Sequence, residues 1–254
     1  MGGFSKPGSQ NYTEARTWPT SLVALYVDEP GCTSGPASGR VAKAQCSQLV
    51  LEIAMPPKSV TAYGAPAKVF LNLSAAPPPA PSSKLSARTS PLASLQLELT
   101  LLGKSPVMIG ESLMFGFTPA PPLRRRGAWA MDKLGGEVDP EDVLPGGNSM
   151  NHAVNTGVRA TTSANATLTL GTLDVPLVCP VTAEFPHGNP LPAGSTGLLP
   201  LPAGSVKGMG VNLHNNLWNT NYPLYYPFYD PRYCSSPTAC RNRDMRFRFS
   251  LAFA

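Results

Sequence analysis

The part of this sequence richest in side chains able to recognise a polar ligand is Asn212 to Cys234, NLHNNLWNTNYPLYYPFYDPRYC, with five Asn, one Trp and five Tyr. An Asn amide donates and accepts hydrogen bonds at once, which suits sugar hydroxyls, and a Trp or Tyr ring offers a flat face to a pyranose. On that chemistry Asn215, Asn216, Trp218, Asn221 and Tyr222 are the candidate carbohydrate-binding residues. The competing reading is structural: the Asn side chains bond to backbone in a bulge or irregular crossover, while Trp218, Tyr222 and Tyr225 fill the space between sheets. Residue chemistry alone leans to the structural reading.

Other reactive types are sparse. His152, His187 and His214 are the only histidines and sit in separate segments, and the chain has no Gly-x-Ser-x-Gly elbow, Gly-rich phosphate loop or His-Glu-x-x-His run. Asp132, Glu137, Asp139, Glu141 and Asp142 cluster in MDKLGGEVDPEDVLPGGN and could in principle act as a carboxylate pair on a glycosidic bond. That stretch reads as a turn-rich loop in which acidic residues are ordinarily solvated. No catalytic residue is assigned. The five Cys contain no Cys-x-x-Cys pair and no adjacent His set, so no metal or other cofactor is expected in this chain. Cys234 with Cys240, and Cys32 with Cys46, are the candidate disulfides, each bracketing a short loop.

Composition narrows the function classes. The net charge is +5, but only 14% of residues are charged and the one dense basic run is Arg124-Arg125-Arg126, too short for a nucleic-acid face. No apolar run reaches the ~18 residues of a membrane span. Met1 to Lys6 lacks the apolar core of a signal peptide, and Lys6 stands where a myristoylation signal has Ser or Thr. Three sequons, at Asn11, Asn72 and Asn165, tilt the reading toward a secretory or extracellular setting.

The elements that would position these residues are strands. With 29 Pro and 23 Gly there is little room for uninterrupted helix. Period-2 alternation is clearest over Asp244–Phe253, where Met245, Phe247, Phe249, Leu251 and Phe253 share one face, and over Ser94–Leu102, where Leu95, Leu97, Leu99 and Leu101 do. Further strands are expected at 21–27, 49–55, 67–73, 111–117, 152–159, 166–170, 173–178 and 208–215. About ten short alternating strands must bury one face against something, which predicts an all-β, supersandwich-like antiparallel β-sandwich. One domain over 1–254 is expected, with Pro/Gly-rich insertions at 75–91, 118–127 and 186–208 read as flexible surface loops. The pentapeptide Leu-Pro-Ala-Gly-Ser occurs at 191–195 and again at 201–205, and is read as a local expansion without function.

Several segments in order, TAYGAPAKVFLNLS (61–74), LQLELTLLGKSPVMIGESLMFGF (95–117), WAMDKLGGEVDPEDVLPGGNSMNHAVNTGV (129–158), LGTLDVPLV (170–178), GVNLHNNLWNTNYPLYY (210–226) and DMRFRFSL (244–251), resemble the C-terminal β-rich part of a family of uncharacterised proteins, a domain of unknown function. That family carries a barrel similar to the family 38 glycoside hydrolases, the α-mannosidases. Two positions depart from its pattern: no Arg lies between Lys104 and Glu111, and Asn219 stands where Gly follows the Trp of the motif. The resemblance implies a non-catalytic C-terminal lobe that supports or rims a carbohydrate site, with a catalytic barrel in cis or in a separate chain. Zinc would belong to that barrel.

Overall fold

The computed structural model describes residues 18–28, 48–76, 93–105, 111–120, 122–144, 147–182, 201–216 and 243–254. The described strands are β1 (Ser21–Asp28), β2 (Gln48–Ala54), β3 (Lys68–Ala76), β4 (Ala93–Lys104), β5 (Glu111–Phe117), β6 (Trp129–Lys133), β7 (Gly136–Val138), β8 (His152–Ala153), β9 (Gly157–Thr161), β10 (Thr167–Thr172), β11 (Leu177–Val181), β12 (Gly208–Asn216) and β13 (Arg243–Phe253). They form two antiparallel sheets, one of nine strands in the order β1-β2-β3-β4-β13-β10-β9-β6-β7 and one of four in the order β5-β12-β11-β8. The all-β antiparallel expectation holds.

Alternation in each strand becomes rows across the large sheet. Leu73, Leu97, Phe249 and Thr172 stand side by side on β3, β4, β13 and β10. A second row runs Leu71, Leu99 and Phe247, and a third runs Leu95, Leu251, Leu170, Val158 and Met131. Cross-strand neighbours share a face. The small sheet answers with Val178, Met209 and Val211, each fully buried in the same core cluster. Phe249 is fully buried, and its ring centroid lies 5.8 Å from that of Phe115 and 5.5 Å from that of Phe117 on β5. Fully burying each such side chain contributes about 1.5–3 kcal/mol.

The opposite face of the large sheet is polar. Glu52 bonds both Tyr26 and Lys68, at 2.7 and 3.0 Å, Arg246 pairs with Glu98, and Arg159 grips Glu137. Nine strands cannot all be roofed by four. At the β1 edge Leu22, Val23, Leu25, Tyr26 and Val27 are exposed.

Four local features differ from the alternation reading. The expected strand over 152–159 is two strands in different sheets, because the chain crosses between layers at Val154–Thr156. The strand expected at 173–178 begins at Leu177, since Asp174 is engaged by Arg248 in the preceding turn. MDKLGGEV is a hairpin and not a loop: Lys133 stands opposite Gly136, and Leu134 and Gly135 both have positive φ, 46° and 88°. That geometry matches the right-handed twist of paired strands. A short helix, α1 (Pro57–Tyr63), opens on Pro56-Pro57 and stops at Gly64, which is left-handed with φ 65°.

The 118–127 insertion is stitched to the sheet. Leu123 forms an isolated bridge with Thr162, and Arg124 N–H donates to the Thr161 carbonyl at 3.1 Å. No described helix is long and apolar enough to cross a membrane.

Candidate functional site

The motif that opens at Asn212 is carried by β12, which is hydrogen-bonded to β5 on one side and β11 on the other. Val211 stands opposite Phe115 and Val178, and Asn212 opposite Met114. Between Asn212 and His214 the register slips: His214 faces Leu113, leaving Leu213 as the extra residue of a β-bulge. Past it, Asn215 stands opposite Ser112 and Asn216 opposite Glu111. Asn212 is buried, and its Oδ1 meets no hydrogen-bond donor. Leaving such an oxygen unpaired costs about 1–3 kcal/mol.

Pairing with β11 spans Gly208 to Val211, pairing with β5 continues to Asn216, and the first two candidate binding residues, Asn215 and Asn216, sit on it in defined register. Trp218, Asn221 and Tyr222 lie outside the described residues, as do Cys32, Cys46, Cys234 and Cys240. Cys179 on β11 is a free, buried thiol, and burial pushes its pKa up to about 11. A thiol held neutral in this way is a poor nucleophile.

The acidic cluster is bonded into the fold. Asp132 accepts a hydrogen bond from the Thr156 hydroxyl, and its carbonyl accepts Asn155 N–H at 2.8 Å. Glu137 takes the Arg159 guanidinium through both carboxylate oxygens. Asp139 accepts Glu141 N–H at 2.9 Å, and burial, with Glu141 and Asp142 nearby, raises its carboxyl above the usual Asp range. Glu141 reaches 63 residues along the chain to accept Gly204 N–H at 2.8 Å and also accepts Val206 N–H at 3.1 Å. These carboxylates hold the hairpin, its neighbours and the 201–207 loop in place.

His152 is the described histidine in the most constrained setting. It faces inward from β8, with Lys133 Nζ 3.4 Å from its Nδ1 and Nε2 buried without a partner. Burial and the Lys133 ammonium both hold its pKa below the usual His range. A neutral imidazole that accepts from an ammonium, with a backbone hydrogen bond to Ser149 beside it, is a packing solution. Among the described residues no group of three or more His, Cys, Asp or Glu could hold a metal ion.

Two sequons fall on described residues and are unalike. Asn72 is in the interior of β3, half-buried, opposite Val50 on one side and Glu98 on the other. Asn165 is exposed in the β9–β10 turn with φ 67°, and its Oδ1 accepts from Arg124. The tie between Glu141 and Gly204 has no local sequence signal, because it joins residues far apart in the chain.

No protein-family model matches this chain, and no curated protein and no solved structure matches it.

Proposed function

We propose that this chain is a non-catalytic β-sandwich lobe that binds carbohydrate, in the manner of the accessory lobe of an α-mannosidase-like glycoside hydrolase. The observation that carries the reading is the strand position of Asn215 and Asn216, the first two candidate residues. Asn215 and Asn216 are paired with β5 and follow the β-bulge at Leu213 directly, and a bulge re-aims the residues that follow it. A paired strand leading into a segment rich in amides and aromatics suits the positioning of a polar ligand without chemistry.

The structural engagement of Asp132, Glu137 and Glu141 also supports a binding role over hydrolysis, since each carboxylate already holds a named partner. On this reading a catalytic barrel, in cis or as a separate chain, would supply the nucleophile and any zinc. Incubation of the chain with an aryl α-mannoside and added zinc is expected to release no phenol above the buffer rate; turnover that survives repurification overturns the proposal. The second reading, a free-standing carbohydrate-binding module, shares the same motif and differs only in needing no barrel.

A further inference from the structure

We infer that the groove between the 118–126 segment and the 201–207 loop binds a saccharide carrying sulfate or phosphate ester groups. This rests on the carbohydrate reading and names a second, anionic part of the ligand. The groove has a volume of about 780 Å³, and its described lining residues include Arg124, Arg125, Arg126 and Lys207 and no acidic residue. A volume in this range suits a ligand of a few sugar rings, since small-molecule sites span about 300–1,000 Å³.

Both walls are fixed before any ligand arrives. One is held by the Leu123–Thr162 bridge, by Arg124 N–H on the Thr161 carbonyl, and by Ser163 N–H on the Pro122 carbonyl at 2.9 Å. The other is held by Glu141 on Gly204 and Val206, and by Lys207 N–H on the Val181 carbonyl at 2.7 Å. The walls also touch. A Cβ at Gly204 would stand 3.1 Å from the Arg125 carbonyl oxygen.

The cations are available. Among the described residues the Arg124 guanidinium bonds the neutral amide of Asn165 and Lys207 Nζ the Gly204 carbonyl at 2.6 Å, and neither pairs with a carboxylate. Arg125 and Arg126 are exposed and make no ion pair among the described residues. Arginine forks match sulfate and phosphate oxygens in pairs, whereas a neutral sugar gives four clustered cations nothing to neutralise. The basic run is too short to track a nucleic-acid backbone.

The test is calorimetric titration of the full chain and of an Arg125→Ala/Arg126→Ala variant with sulfated maltohexaose, glucose 1,6-bisphosphate, unsulfated maltohexaose, sodium triphosphate and a twelve-nucleotide oligothymidylate. The expected result is that one of the two anionic sugars binds wild type about tenfold or more tightly than triphosphate, oligothymidylate or the unsulfated sugar. Which of the two it is identifies the ester as sulfate or phosphate. The double variant is expected to lose about tenfold or more, with an unchanged melting temperature, and an Arg125→Lys/Arg126→Lys variant to keep part of the affinity. Equal binding of the anionic sugar by wild type and the alanine variant overturns the groove, as does equal binding of triphosphate or oligothymidylate. Anionic-sugar binding that depends on the Arg pair, alongside no binding of any neutral sugar, supports the groove and counts against the Trp218 surface alone.

Discussion

Arg248 on β13 and Asp174 in the turn after β10 are joined by three hydrogen bonds: Arg248 N–H at 2.7 Å, Nε–H at 3.0 Å and Nη2–H at 2.7 Å all donate to the one carboxylate. The turn they fix is where the chain leaves the nine-stranded sheet for β11 of the four-stranded one. One planar guanidinium and one backbone amide thus set the crossover that leads to β12.

That arrangement makes stability depend on acid in a definite direction. The Arg248 bonds hold the Asp174 carboxyl below the usual Asp range. A depressed folded pKa contributes stability that is present above the unfolded value of about 3.9 and is lost as pH falls through the folded value. Asp174→Asn is expected to lower Tm at pH 7 by about 2–4 °C, with the gap to wild type narrowing as pH falls below about 4. Thermal unfolding at pH 7, 5 and 3 measures it, and an unchanged gap across that range refutes the role given to Asp174.

The rows across the large sheet predict where truncation hurts. Phe249 is 0% exposed, whereas Phe253 on the same face of β13 is 37% exposed. Phe249→Ala is expected to cost about 3–5 kcal/mol in urea unfolding, as for other buried large aromatics. Phe253→Ala should cost far less. Similar costs at both positions would show that the two sheets do not close over Phe249.

Much of this architecture is legible in the sequence, and what is not has physical reasons. The Leu95–Leu101 and Met245–Phe253 alternations give β4 and β13 because each strand needs only its own pattern to choose a face. The β6–β7 hairpin is hidden because its tight turn puts Leu134, fully exposed, where Asn or Asp ordinarily signals a positive-φ hairpin. The division of 152–159 is hidden because a change of sheet is a tertiary event that leaves the local pattern intact. In the candidate site, the composition around Asn212 marks the motif. The bulge that precedes Asn215 depends on the partner strand β5, and no single-strand pattern shows it.

The free thiol provides a check on the small sheet. Burial pushes Cys179 up to about 11, so at pH 8 it is almost wholly protonated and enclosed. Iodoacetamide at pH 8 is expected to leave Cys179 unmodified in the native protein and to modify it in urea, as read by peptide mass mapping. Rapid native labelling of that peptide would place β11 outside the packed layer. The same maps read whether Cys32, Cys46, Cys234 and Cys240 are paired.

The central claim, that the Asn/Trp/Tyr motif is a carbohydrate-binding surface and not core, is tested most directly by titrating mannose and glucose oligosaccharides into wild type and Trp218→Ala, with urea unfolding of both. The claim predicts saturable binding by wild type, loss of that binding in the variant, and unfolding free energies within about 1 kcal/mol of each other. No binding to any neutral glycan by wild type, together with a loss of about 3–5 kcal/mol on truncating Trp218, would contradict it and make the motif part of the core.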